Sequence, residues 1–203
     1  MIVTLELAPG AVVRDDLLQQ QLGLGRTPIR EALQRLVRDQ FVTIIPRRGM
    51  FVSSIDVSEL STLYETRAIL EPYVMRLACA RGRSADWDAM AAALTRATPA
   101  SSATELLEID RECREIVWTA AGNRFLTATL DMLYAQSDRL WHLYLADVAA
   151  LDDVIDEHRA IHAALVAGDG DRAAALIESH MRAFNDKIAG AVRRRLESPL
   201  AGF

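Results

Sequence analysis

Hydrophobic positions change their rhythm along this chain. Leu17, Leu18 and Leu22, and then Ile29, Leu33, Leu36 and Val37, recur at helical spacing in two short runs separated by Gly23-Leu24-Gly25. This predicts two helices joined by a tight glycine-containing turn. Pro28 suits the first turn of the second helix, with Thr27 before it as N-cap and Glu31 favouring the positive helix end. Phe41–Ile45 and Met50–Ser53 are β-rich runs flanking Pro46-Arg47-Arg48-Gly49, and they predict a hairpin. After Ser53 the strand-like runs stop. Helices are expected over about 57–81, 85–97, 104–121, 123–145, 152–167 and 171–196, broken by Gly82, Pro99, Gly122-Asn123 and Gly168-Asp169-Gly170. Six helices with short loops predict an antiparallel bundle.

Several bundle helices carry polar groups in the middle of their apolar arcs. Arg67 is central among Leu60, Leu63, Tyr64, Leu70, Val74 and Ala78. Asp110 lies within the arc of Leu106, Leu107, Cys113, Val117 and Ala121, with Arg114 one turn on. Ser137 is central between Leu130, Leu133, Leu140, Trp141 and Tyr144. His158 sits among Leu151, Val154, Ile155, Ile161 and Leu165 with His162 beside it, and His180 among Leu176, Ile177, Ala183, Phe184 and Ala191. A buried charge costs several kcal/mol unless paired, liganded or hydrated. One reading is that these groups converge on a polar cavity in the bundle. The other is that Arg67–Glu71 and Asp110–Arg114 are isolated ion pairs and the histidines are hydrogen-bonded core residues.

The second short helix is apolar behind and arginine-rich in front, with Arg26, Arg30, Arg35 and Arg38. A DNA major groove admits such a helix, and guanidinium groups read guanine edges or grip phosphates. A hairpin with arginines at its tip reads as a wing that touches backbone or minor groove. The net charge of −5 argues at first against nucleic acid. The charge is divided, however. Residues 1–55 hold seven arginines against five acidic residues, and residues 56–203 hold sixteen basic against twenty-three acidic. A basic module joined to an acidic one confines DNA binding to the first part.

Leu22-Gly23-Leu24-Gly25-Arg26-Thr27-Pro28-Ile29-Arg30-Glu31-Ala32-Leu33, continuing without a gap to Val52, resembles the winged-helix domain of GntR-type bacterial transcription regulators. The resemblance implies DNA contacts from Arg26, Thr27 and Arg30, with Arg35 nearby, and a wing tip at Arg48 and Gly49. Three departures stand out. Gly25 replaces a usual serine, Asp16 replaces a frequent basic residue, and only Met1 to Pro9 stand where the family has its first helix, which is expected to be truncated. Residues 57–190 resemble the FCD effector-binding domain of the FadR subfamily, through Leu63-Tyr64-Glu65-Thr66-Arg67-Ala68-Ile69-Leu70-Glu71-Pro72, Ala120-Ala121-Gly122-Asn123 and Glu157-His158-Arg159-Ala160-Ile161. That family often binds a divalent metal through Asp-x-x-x-His and two later histidines. Asp110, His158 and His180 match three ligands, and the fourth position is Arg114. Arginine has no lone pair to donate. Two outcomes stay open: a divalent metal (Zn, Ni or Mn), with His162 as substitute ligand, or a metal-free anion pocket in which Arg114 holds an effector carboxylate.

The expected fold is mostly α: a winged helix-turn-helix with a small β-hairpin wing over 1–54, then an antiparallel helical bundle over 55–203. The expected function is an effector-responsive regulator, a repressor, that binds a pseudo-palindromic operator as a homodimer. It would sense a small organic acid through Arg67, Asp110, Arg114, Ser137, His158, His162 and His180. A metal-sensing regulator, a helical-bundle metalloenzyme built on Asp110, His158 and His180, and a DNA-binding protein without effector control are the rivals. No apolar run approaches the roughly 20 residues of a membrane span, and Glu6 and Pro9 interrupt any signal-like start. Cys79 and Cys113, without metal-type spacing, read as reduced thiols of a cytoplasmic protein.

Overall fold

The computed structural model describes residues 1–144 and 152–197. They form two compact units. The first comprises Met1–Val57 together with Ala135–Leu143, and the second comprises Ser58–Tyr134 with the described residues from Tyr144 onward.

In the first unit, α1 (Asp15–Leu22) and α2 (Arg26–Arg38) are joined through Gly23, whose φ of 64° lets the chain leave α1 in the left-handed conformation. Strands β2 (Val42–Ile45) and β3 (Gly49–Val52) form the hairpin, with Val42 opposite Val52 and Ile45 opposite Gly49. A third strand, β1 (Val12–Val13), pairs antiparallel with β3, giving the order β1-β3-β2. Two residues show no period, so β1 was not legible in the sequence. Ile2, Val13, Leu18, Ile29, Leu33, Phe41, Val42 and Val52 close one small core. Buried Arg139, on the 135–143 stretch, covers part of it: Nη2 donates to the Ser53 carbonyl at 2.8 Å, and the guanidinium lies 5.4 Å from the Phe41 ring centroid.

Helix α2 begins two residues earlier than expected. Gly25 occupies the cap position without a side-chain bond, and Thr27 lies inside the helix rather than capping it. Pro28 tolerates this because the first four N–H groups of a helix have no intrahelical acceptor in any case.

The second unit is helical: α3 (Leu60–Arg81, after a 3-10 turn at Val57–Glu59), α4 (Ser84–Thr95), α5 (Ala103–Ala120), α6 (Arg124–Tyr144, whose later part groups with the first unit), α7 (Asp152–Val166) and α8 (Gly170–Glu197). Ser102 caps α5, its Oγ accepting from the Glu105 amide while Glu105 accepts from the Ser102 amide. Asn123 caps α6 through the Phe125 and Leu126 amides. Helix α3 packs along α8 and against α5, and α7 packs on α8, α4 and α5. At the α3–α4 corner the Trp87 ring lies over Gly82, so close that a Cβ there would stand 2.4 Å from Cζ2. Leu151, the first residue of the expected α7 arc, lies outside the described residues. Among the described residues no helix is long and apolar enough to cross a membrane.

Candidate functional site

Two sites emerge, one in each unit. In the first, Ile29 and Leu33 turn α2 inward, leaving Arg26, Thr27, Arg30 and Arg35 exposed. Arg30 leans 3.6 Å from Asp15 Oδ2 and keeps most of its surface free. No side chain caps α2 at its start, where the helix dipole favours a phosphate. In the wing, the Arg48 amide donates to the Ile45 carbonyl at 3.0 Å, closing the turn. That closure puts Arg47 at φ 64° and Gly49 at φ 105°, and leaves Arg47 and Arg48 exposed. The arrangement offers cations from a helix and from a loop to a polyanion.

The second site is a buried cluster built by α3, α5, α6, α7 and α8. Arg67, Glu71, Asp110, Arg114, His158 and His180 meet there, none more than 2% exposed. Glu71 Oε1 accepts from Arg67 Nε at 2.8 Å and Nη2 at 2.6 Å, while its Oε2 accepts from Arg114 Nη1. Asp110 Oδ2 accepts from Arg114 Nε at 3.0 Å and from the Tyr134 hydroxyl at 2.8 Å. The other Asp110 oxygen lies 2.5 Å from His158 Nε2 and 3.4 Å from His180 Nε2. The Tyr134 ring centroid is 5.5 Å from each of the Arg67 and Arg114 guanidinium carbons. His180 Nδ1 pairs with Glu157 Oε2 at 2.6 Å.

Burial alone would raise both carboxyls. Arg114 and His158 instead hold Asp110 well below the usual range, and Arg114 and Arg67 hold Glu71 below it. Burial opposes the charge on Arg114, but Asp110 and Glu71 raise its pKa above the ordinary guanidinium value. Burial pushes the His158 pKa down against the pull of Asp110. An ionised Asp110 can only accept, so His158 Nε2 donates to it, and Nδ1 makes no hydrogen bond. Nε2 of His180 is likewise buried without a hydrogen bond.

Five of the expected effector residues thus meet: Arg67, Asp110, Arg114, His158 and His180. His162 does not join them, because its Nε2 bonds the Trp87 carbonyl at 3.0 Å. Ser137 is buried on the stretch that groups with the first unit. Sequence reasoning missed Tyr134 and Glu157, and saw Glu71 only as the partner of Arg67. Tyr134 could have been found, since it continues the arc of Leu130, Ser137 and Trp141.

Asp110, His158 and His180 bring one ligand atom each within 4.8 Å of one another. The donor positions fit a metal; the charges do not. Two guanidinium groups already face Glu71 and Asp110, so a divalent cation would add two positive charges with only the Glu157 carboxylate behind His180 to offset them. Arg114, the residue at the fourth ligand position, is bound by both carboxylates.

Residues 1–52 match the family described as bacterial regulatory proteins, gntR family, and residues 62–183 match the FCD domain. The chain is 30% identical over 185 residues to the HTH-type transcriptional repressor GlaR of Escherichia coli K12, covering 85% of this chain and 84% of that one. It is 29% identical over 195 residues to the Nta operon transcriptional regulator of Aminobacter aminovorans, covering 95% and 91%. Among solved structures, Escherichia coli McbR/YncC superposes with a TM-score of 0.82 at 22% identity, covering 95% of this chain and 92% of that one. A GntR-family regulator of Pseudomonas syringae pv. tomato superposes with a TM-score of 0.60 at 20% identity, covering 99% and 83%.

Proposed function

Because the chain belongs to the gntR family of bacterial regulatory proteins and carries an FCD domain, we propose that it is a cytoplasmic repressor of the FadR subfamily whose DNA binding is controlled by a small organic acid. It is a transcription regulator with a DNA-binding domain and an effector domain, and not an enzyme. The observation that carries the effector reading is the closed cluster of two arginines and two carboxylates at the centre of an apolar bundle. Packing alone does not require it, since apolar replacements of buried ion pairs are often at least as stable. Repression is favoured by the likeness to a relative named as a repressor.

A single helix-turn-helix buries too little surface for useful specificity, so the protein acts as a homodimer on a pseudo-palindromic operator. Arg26, Thr27, Arg30 and Arg35 serve the major groove, and Arg48 with Gly49 serves the backbone beside it. The effector acts only insofar as it binds the two arrangements of the dimer unequally. The domain works without a resident metal, Arg114 supplying the positive charge that Asp110 needs.

The test is operator binding by the purified protein, titrated with a panel of small carboxylates and followed in parallel by sedimentation. Release of operator by one acid, from a protein that sediments as a dimer, is the expected result. Indifference to every acid would refute the effector assignment, and a monomer bound to a full operator would refute the dimer. Elemental analysis showing one tightly held Zn, Ni or Mn per chain would overturn the metal-free reading.

A further inference from the structure

The two arginines of the buried cluster are not waiting for an anion. Glu71 sits between them, one oxygen on Arg67 and the other on Arg114. Arg67 and Glu71 both belong to α3, and Arg114 belongs to α5. The Glu71 carboxylate therefore does two things: it fills the seat between two guanidinium groups, and it ties α3 to α5.

We infer that Glu71 is a built-in stand-in for the effector's carboxylate, and that a small carboxylate enters by displacing Glu71 from Arg67 and Arg114, releasing the α3–α5 tie. This rests on the reading of the bundle as a sensor of organic acids. Geometry supports it in three ways. Both carboxylate oxygens of Glu71 are engaged by guanidinium N–H groups, the arrangement in which arginine recognises a free carboxylate. The pair of cations is retained in a site closed to water, where they cost free energy unless an anion lies between them. On the other side of Asp110, His180 Nε2 is buried 3.4 Å from Oδ1 without making a hydrogen bond, so the cluster still has a polar atom to offer a ligand.

Glu71 stays tethered to α3, so the charge of the cluster is unchanged only when its displaced carboxylate rotates out to water or takes up a proton. What changes is connectivity: an untethered carboxylate satisfies both arginines without linking the helices that carry them. The affinity of the wild-type protein for its effector is thereby set by competition with an internal carboxylate, and only an anion that gains further contacts outcompetes it.

The test is chemical rescue in the full-length protein. Glu71→Ala leaves both guanidinium groups and a void of carboxylate size. Acetate, at constant ionic strength, should raise the melting temperature of Glu71→Ala by about 5–10 °C at roughly 100-fold over its dissociation constant. Acetamide, similar in shape but neutral, should not, and acetate should not rescue Leu33→Ala, a buried truncation in the core of the first unit. Glu71→Gln keeps the side-chain volume and covers the case in which Glu71→Ala does not fold. By calorimetry it should bind acetate at least about tenfold tighter than wild type, since an amide competes weakly for guanidinium. Absence of rescue together with unchanged acetate affinity in Glu71→Gln would overturn the inference. If wild type still releases operator with some acid in that case, the sensing role stands and only the stand-in falls. Rescue without any acid response on operator would support the seat and refute the sensing role.

Discussion

Arg114 Nε stands 3.0 Å from Asp110 Oδ2, one turn along the same helix, and the same guanidinium reaches Glu71 on α3. The position that could complete a metal site is thus spent on holding two carboxylates. Arg114→His removes one positive charge and adds an imidazole, leaving Glu71 and Asp110 against Arg67 alone. The variant should bind one Zn or Ni per chain, and chelator should lower its melting temperature. Wild-type protein should carry no stoichiometric metal, and its melting should be insensitive to chelator. Elemental analysis with paired thermal melts checks both.

His158, Asp110 and Glu71 all have pKa values lowered by the fold. In each case the unfolded chain takes up its proton at higher pH than the folded one, so the stabilisation is complete above the unfolded value and is lost as pH falls. The second unit should begin to weaken as pH drops below about 6.5, the ordinary histidine value, and weaken further through the carboxylate range near pH 4. His158→Asn should remove the upper part of that slope. Melting temperatures of the full chain across this range are the measurement; a flat profile for wild type would contradict the assignment.

The exposed arginines of α2 and of the wing should fail differently. Arg30→Ala should cost roughly 1–3 kcal/mol of specific operator binding while leaving non-specific binding nearly intact, if Arg30 reads a base. Arg48→Ala should weaken all sequences alike and reduce the salt dependence by about one ion contact. Salt-titrated binding to operator and to scrambled DNA separates the two.

Arg47 takes a left-handed conformation at the wing tip, with φ 64°. For a residue with a Cβ this costs roughly 1–2 kcal/mol, whereas glycine adopts it freely. Arg47→Gly should raise the stability of the first unit by up to about 1 kcal/mol, measured by chemical denaturation, and weaken DNA binding at low salt. The opposed signs would show that the strained arginine is kept for its charge.

The helices, the turn between α1 and α2, and the hairpin were readable because each carries its own period or its own turn residues. The cluster was partly readable: Arg67, Asp110, His158 and His180 interrupt apolar arcs, and such interruptions have to be compensated somewhere. Periodicity gives the face a residue occupies and not the neighbour that face meets. The same rule sets His162 beside His158, whereas its Nε2 is drawn to the Trp87 carbonyl. Glu71 looked like a local partner of Arg67, because a four-residue spacing already explains that pair. Its second bond, to Arg114, spans 43 residues and leaves no local trace.

The Trp87 ring over Gly82 has a consequence for how this lineage can vary. Even one added methyl at position 82 would meet the indole at 2.4 Å and the Ala78 carbonyl at 2.8 Å, with backbone on one side and a large ring on the other. Gly82 is not in a conformation that demands glycine, so no local rule marks it. A library randomised at 82 alone, and selected only for folding, should return glycine. A library randomised at 82 and 87 together should also return glycine at 82, because a smaller side chain at 87 leaves the Ala78 carbonyl in the way. Position 87 can drift while position 82 stays fixed.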